Sequence, residues 1–185
     1  MTVARGNVIY FQYVNDDLEV ISEQVPVFTE ADDLPKIVDH KTVFWKGYYF
    51  ITFSSAGDRQ LYLVKIDKEG NRVGDIVTVW DQDERPANEP GKPTNDMILI
   101  TSPETLYVGH FQPASQHYIH GYDEDLNRSS DPFLTSNDLE HNNVGGGLYE
   151  NEKIHLFTGD IFGGESNLIL TEWDQYFEPE AQSPQ

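Results

Sequence analysis

The stretch 41–79, KTVFWKGYYFITFSSAGDRQLYLVKIDKEGNRVGDIVTV, decides the fold. Its apolar runs are four to eight residues long, rich in Val, Ile, Tyr, Phe and Trp, and bounded by Gly, Asn, Asp or Ser, as β-strands are. It parses as strand, tight turn at Lys46-Gly47, strand, polar turn at 54–59, strand, turn at 67–71, strand. The result is a four-stranded antiparallel meander. Runs of the same kind lie at 8–14, 42–45, 48–53, 61–66, 76–80, 97–100, 106–111, 117–122, 154–157 and 168–173. No window carries an i, i+3, i+4, i+7 stripe over ten residues, so no long helix is expected.

The meander recurs. A second copy is NDMILITSPETLYVGHFQPASQHYIHGYDEDLNRSSDPFLTS at 95–136, and a third begins NNVGGGLYENEKIHLFTGDIFGGESNLILTEWDQYFEP at 142. The N-terminal NVIYFQYVNDDLEVISEQVPVF matches only the second half of a module. Aligning Tyr13, Ile66, Tyr122 and Trp173, which close the third strands, gives spacings of 53, 56 and 51 residues, each followed by a polar turn. Four strands per unit at a period near 50 point to an all-β chain of β-propeller blades, since one twisted sheet cannot bury both faces alone. A β-sandwich is the alternative. The expected divisions of this single domain are a partial blade at 5–30, blades at 37–80, 94–136 and 142–178, and a polar tail at 179–185. These pieces do not close neatly, so either the ends share a blade, or a second copy of the chain completes the ring, or the chain is a segment of a longer propeller.

Charge narrows the partners. Twelve Lys and Arg stand against 32 Asp and Glu, for a net charge of −20, which leaves no basic stripe for nucleic acid or an anionic membrane. With no cysteine there is no disulfide, thiolate catalysis or cysteine-ligated zinc. The apolar runs are strand-sized and the start, MTVARGNVIYFQY, lacks a signal-peptide pattern, so a cytoplasmic location is expected if Met1 is the native start. There is no GxGxxG after a strand, P-loop, HExxH or GxSxG; Gly145-Gly146-Gly147 leads into a strand.

Several constellations remain. The turns 67–71 and 123–127 set acidic or amide side chains at alternate positions, the spacing of a calcium loop, but lack its later bidentate Glu. Hairpin closure is the plainer reading, and no cofactor is expected, with calcium the one alternative. His110, His117 and His120 form the densest histidine group; His117 and His120, three apart in a strand, face opposite ways, so no metal site follows and His120 is expected to cap a blade face. The residues before each innermost strand are Val38-Asp39-His40, Thr94-Asn95-Asp96 and His141-Asn142-Asn143. Innermost strands line the axis, so His40, Asn95, Asp96, His141, Asn142 and Asn143 are expected to converge as a polar ring, with Trp45 and His110 as further ligand-facing candidates. Tyr107, Tyr149 and Trp173 offer aromatic faces that either stack on sugars or pack between sheets.

The segment 39–71, DHKTVFWKGYYFITFSSAGDRQLYLVKIDKEGN, with its Gly-Tyr-Tyr strand and Ser-Ser turn, resembles the blades of the five-bladed propeller glycosidases of the arabinanase and fructosidase type and of related non-enzymatic propellers. The resemblance implies a sugar-binding axial funnel and, in the enzymes, an Asp base, a second Asp and a Glu acid. It matches Asp39 to the base and Asp96 to the second carboxylate. Glu150, Glu165 and Glu172 are available as the acid, and none sits in a specific motif. The Asp-Pro usual at the base is Asp39-His40 here, and the chain is short of five blades. The expected function is a non-catalytic module binding a carbohydrate or another polar small ligand at the axial end. The alternatives are a glycoside hydrolase using paired carboxylates and a protein-interaction or assembly domain.

Overall fold

The computed structural model describes residues 1–29, 32, 34–56, 60–80, 97–112, 116–129, 133–134, 143–160 and 167–174. They form an almost all-β chain of four consecutive antiparallel sheets. The first blade contains β1 (Thr2–Arg5), β2 (Val8–Phe11) and β3 (Val25–Pro26). The second holds β4 (Ile37–Trp45), β5 (Tyr48–Ser55), β6 (Leu61–Ile66) and β7 (Val77–Trp80), and the third β8 (Met97–Thr101), β9 (Leu106–Gln112), β10 (Gln116–Tyr122) and β11 (Phe133–Leu134). The fourth has β12 (Asn143–Glu150), β13 (Lys153–Asp160) and β14 (Asn167–Asp174). In every sheet neighbours in sequence are neighbours in space, as in a meander. No helix among the described residues is long and apolar enough to cross a membrane.

Tight hairpins set the register. Lys46 and Gly47 both take positive φ (47° and 87°), as do Asn151 and Glu152 (52° and 62°), which gives the two-residue turns whose twist matches that of the flanking strands. Trp45 then pairs with Tyr48, and Glu150 with Lys153. Alternate residues of each sheet face opposite neighbours. In the second blade Ile51, Phe53, Tyr62, Val64 and Ile66 pack on Ile9, Phe11, Val27 and Phe28 of the first. Phe50, Leu61, Leu63 and Val79 pack on Met97, Leu106, Val108 and Tyr122 of the third. Ile98, Ile100, Tyr107 and Ile119 of the third meet Ile154 and Leu156 of the fourth. β6 is buried along its whole length because a sheet lies on each face, which explains its unbroken apolar run.

One turn recurs after the third strand of a module. Isolated bridges join Val14 to Val20, Ile66 to Arg72 and Tyr122 to Arg128. Inside each, the residue three after the leading Asn or Asp has positive φ: Leu18 at 63°, Gly70 at 90°, Leu126 at 64°. Two sequence expectations are corrected here. The anchor equivalent to Ile66 is Val14 rather than Tyr13, making the spacing 66 minus 14, or 52, and this one-residue slip exchanges the faces of β2. The N-terminus is also more than half a module, because β1 pairs along β2 from Thr2↔Phe11 to Arg5↔Val8. Positive φ at Gly6 (66°) turns that hairpin.

Candidate functional site

The innermost strands stand side by side, β4 against β8 and β8 against β12. The far ends of β4 and β8 meet: the Trp45 indole Nε1 donates to the Ser102 carbonyl at 2.7 Å, and Lys46 Nζ lies 3.3 Å from Glu104 Oε2. Their leading ends therefore lie together at the opposite side.

At that side the chain is shaped by a bulge. The register slips between Ile37↔Ser55 and Asp39↔Ser54, which pushes Val38 out to solvent. Asp39 and His40 thus lie within β4 rather than before it as expected. Both are half-buried. Asp39 Oδ1 accepts the His40 backbone N–H at 2.8 Å, and Oδ2 lies 3.7 Å from Lys41 Nζ. Opposite, Ser54 is buried, and its Oγ has no hydrogen-bond partner among the described residues. A buried hydroxyl left unsatisfied costs about 1–3 kcal/mol. Ser54, expected in the polar turn 54–59, lies in β5. The alternation Phe50, Thr52, Ser54 was the signal that it continues the strand.

Asn95, Asp96, His141 and Asn142 fall outside the described residues, as does Glu165, and Asn143 opens β12 opposite Gly159. The carboxylate pair of the enzymatic expectation is thus described only at Asp39. Among the other acid candidates, Glu150 is exposed at the β12–β13 hairpin and Glu172 pairs in register with His155.

Trp45 and His110 are corrected from ligand-facing to core residues. Trp45 is buried against Phe50, with ring centroids 5.4 Å apart, and its indole N–H is spent on Ser102. His110 is buried and stacks on His120 and Tyr118, each at 5.3 Å. His120 does not cap an open face either. It is fully buried, and burial, with a smaller push from Arg128, lowers its pKa to about 3, so it is a neutral core imidazole. His117 pairs with Phe111 in the ladder, and no group of three metal-ligating side chains occurs among the described residues.

The acidic turns put their oxygens to local use. Asp67 Oδ1 accepts the Asn71 N–H at 2.8 Å and Oδ2 its side-chain amide at 3.0 Å. Asp123 repeats this with Asn127 at 2.8 and 3.0 Å, while Asn15 Oδ1 accepts the N–H groups of Asp17 and Glu19 at 3.0 and 2.8 Å. Hydrogen bonds led by the Asn127 amide hold Asp123 below the usual carboxylate range.

No family model and no curated protein sequence matches the chain. In structure it is similar to the GH43 endo-arabinanase from Bacillus licheniformis, a five-bladed β-propeller glycosidase, with a TM-score of 0.51 and 13% identity over 92% of this chain and 69% of that one. The likeness bears on the fold, and the sheets described above are propeller-like blades.

Proposed function

We propose, on the premise that this chain stacks propeller-like blades of the kind found in that endo-arabinanase, that it binds a carbohydrate or another polar small ligand at the leading end of its innermost strands without turning it over. The observation that carries this reading is the buried, unsatisfied Ser54 hydroxyl set opposite Asp39 at the bulge of β4. A sugar hydroxyl both donates and accepts, so one group can satisfy Ser54 while a neighbouring hydroxyl donates to Asp39. His40 and Lys41 supply donors beside them.

Both oxygens of Asp39 already have local partners: one accepts the His40 backbone N–H and the other lies 3.7 Å from Lys41 Nζ. Inverting hydrolysis needs a second carboxyl about 6.5–9.5 Å away in the opposite protonation state. The second reading, a glycoside hydrolase pairing Asp39 with Asp96, is favoured by the likeness to the endo-arabinanase.

Calorimetric titration with arabino-oligosaccharides and other short glycans, followed by chromatography of the incubated mixture, separates the two. The expected result is saturable binding that Ser54→Ala and Asp39→Asn each weaken about tenfold, the scale of one lost hydrogen bond, with the glycan recovered intact. Shortened glycan that disappears with Asp39→Asn would establish the hydrolase instead. Absence of binding across the panel would refute the sugar-binding reading.

A further inference from the structure

The repeat allows the seam between the first and second blades to be matched, rung by rung, with the seam between the second and third. Counting back from the bridges that close the polar turns, His120 stands two residues before Tyr122 as Val64 stands two before Ile66. His110 pairs with Tyr118 and stacks on it at 5.3 Å, and Phe53 pairs with Tyr62 and stacks on it at 5.1 Å. On the facing sheets, Ser54 pairs with Leu61, five residues before Ile66, and Ala4 pairs with Ile9, five before Val14. In the first seam the three equivalent places hold Phe53, Val64 and Ala4, which pack in one apolar cluster. In the second they hold His110, His120 and Ser54, all buried.

Their rung partners tie the three together. Met97 is paired with His110, Val108 with His120 and Leu61 with Ser54, and Met97, Val108 and Leu61 belong to one cluster. Directly opposed residues of an antiparallel pair share a face. The two imidazoles and the Ser54 hydroxyl therefore enter the leading end of this seam from opposite sheets, beside the bulge that carries Asp39. The imidazoles stack on each other at 5.3 Å with their planes 23° apart.

Among the described residues the other charged side chains on this seam are already matched. Asp39 faces Lys41 on β4, Lys65 of β6 is held by the Glu124 carbonyl and Asp125, and Arg128 donates to the Val79 carbonyl; the phenols of Tyr48, Tyr118 and Tyr122 complete the titratable set. A proton on His120 places a cation against a second imidazole, in a buried site where Arg128 already opposes it. Parting the two sheets hydrates the ring, so acid favours the parted form. We propose that His110 and His120 form an acid-operated latch, whose protonation parts the third blade from the second and releases a polar ligand held at Ser54 and Asp39. The release rests on the ligand site proposed above. Phe53 and Val64 take up no proton, so the first seam stays shut. Each pH unit below about 6.5 raises the ratio of parted to closed forms about tenfold, until the folded value of about 3 is reached.

Two readouts on the full chain keep the latch separate from the ligand site. Trp45 spans this seam through its bond to the Ser102 carbonyl, so with Trp80→Phe and Trp173→Phe in place its emission reports parting without any ligand. Lowering the pH from 7 to 4.5 is expected to shift that emission to the red while far-ultraviolet circular dichroism is retained. The same change is expected to weaken binding of arabino-oligosaccharides, measured by calorimetry, at least about tenfold. His110→Phe combined with His120→Val installs the residues of the first seam, and is expected to abolish both effects while leaving binding at pH 7 intact. His120→Val alone carries the test should the double variant not fold. Emission unmoved by acid, or moved equally in the variant, would overturn the latch. Acid-weakened binding that persists in the variant would also overturn it, by assigning the effect to Asp39 and His40 at the site itself. Should no glycan bind at either pH, the ligand reading fails, whereas an acid shift in emission that the variant abolishes still supports the latch.

Discussion

The seam between the first and second blades and the seam between the second and third use one backbone and opposite side-chain solutions. The former is nearly all hydrocarbon. Phe28 packs on Phe53 at 4.8 Å, Phe53 stacks on Tyr62 at 5.1 Å, and Phe11 fills the space left by the missing side chain of Gly70. Its charged clasp, Arg72 to Asp32, sits at the rim. In the latter a knob replaces the hole, with Leu126 buried where Gly70 gives way. Polar groups go inside with it: His110 and His120 stacked on each other, and Lys65 over the Tyr48 ring at 4.1 Å. A repeat thus fixes where blades touch, while composition decides which conditions break the contact.

Acid should separate the seams most. His120 has a folded pKa of about 3, below the ordinary 6.5, so folding favours the neutral ring. Its contribution is complete above pH 6.5 and is lost as pH falls from there toward 3. Between pH 7 and 4 the loss is on the order of 3 kcal/mol, readable as a fall in urea midpoint. Asp32 and Asp123 have lowered pKa values, so their contributions disappear only as pH drops through values below 3.8, after most of the histidine loss. His120→Leu should flatten the profile between pH 7 and 4. An unchanged profile in that variant would remove the polar seam as the acid-sensitive element.

A smaller effect is expected at the other seam. Gly70→Ala forces a Cβ to 2.8 Å from Phe11 at a φ of 90°, and should cost about 2 kcal/mol in urea unfolding at pH 7, combining left-handed strain with overpacking. A cost below about 0.5 kcal/mol would mean that the two blades do not meet at Gly70. Smallest is the rim clasp. Arg72→Ala should cost less than about 1 kcal/mol and lose that effect in high salt, because its side chain is a third exposed.

Much of the fold was legible because burial on both faces leaves a mark in sequence. The runs of β5 and β6, and their return as β9 and β10, gave the meander and its period. β1 escaped because Thr2–Arg5 is short and barely apolar, although Gly6-Asn7 ahead of Val8 is a usable hairpin signal. The slip from Val14 to Tyr13 came from choosing the aromatic residue as anchor; the ladder bridge, not residue type, defines the equivalent place. The site was less legible. A bulge drew Asp39 into the strand, and no pattern announces a bulge in advance. Trp45 reads alike as a sugar platform or a core residue until the Ser102 carbonyl is found within reach of its N–H. The buried histidines were visible as a cluster, but their neighbours across the seam come from another module.

The claim on which the rest depends is that the polar turn of the second blade, like that of the third, is its contact with the blade before. A double-mutant cycle across the first seam, with Phe11→Ala, Gly70→Ala and both together measured by urea unfolding, tests it most directly. The expected result is coupling of about 1 kcal/mol or more, the double variant being less damaged than the sum of the singles because truncating Phe11 makes room for the new methyl group. Additive costs would contradict direct contact between the Gly70 turn and the first blade.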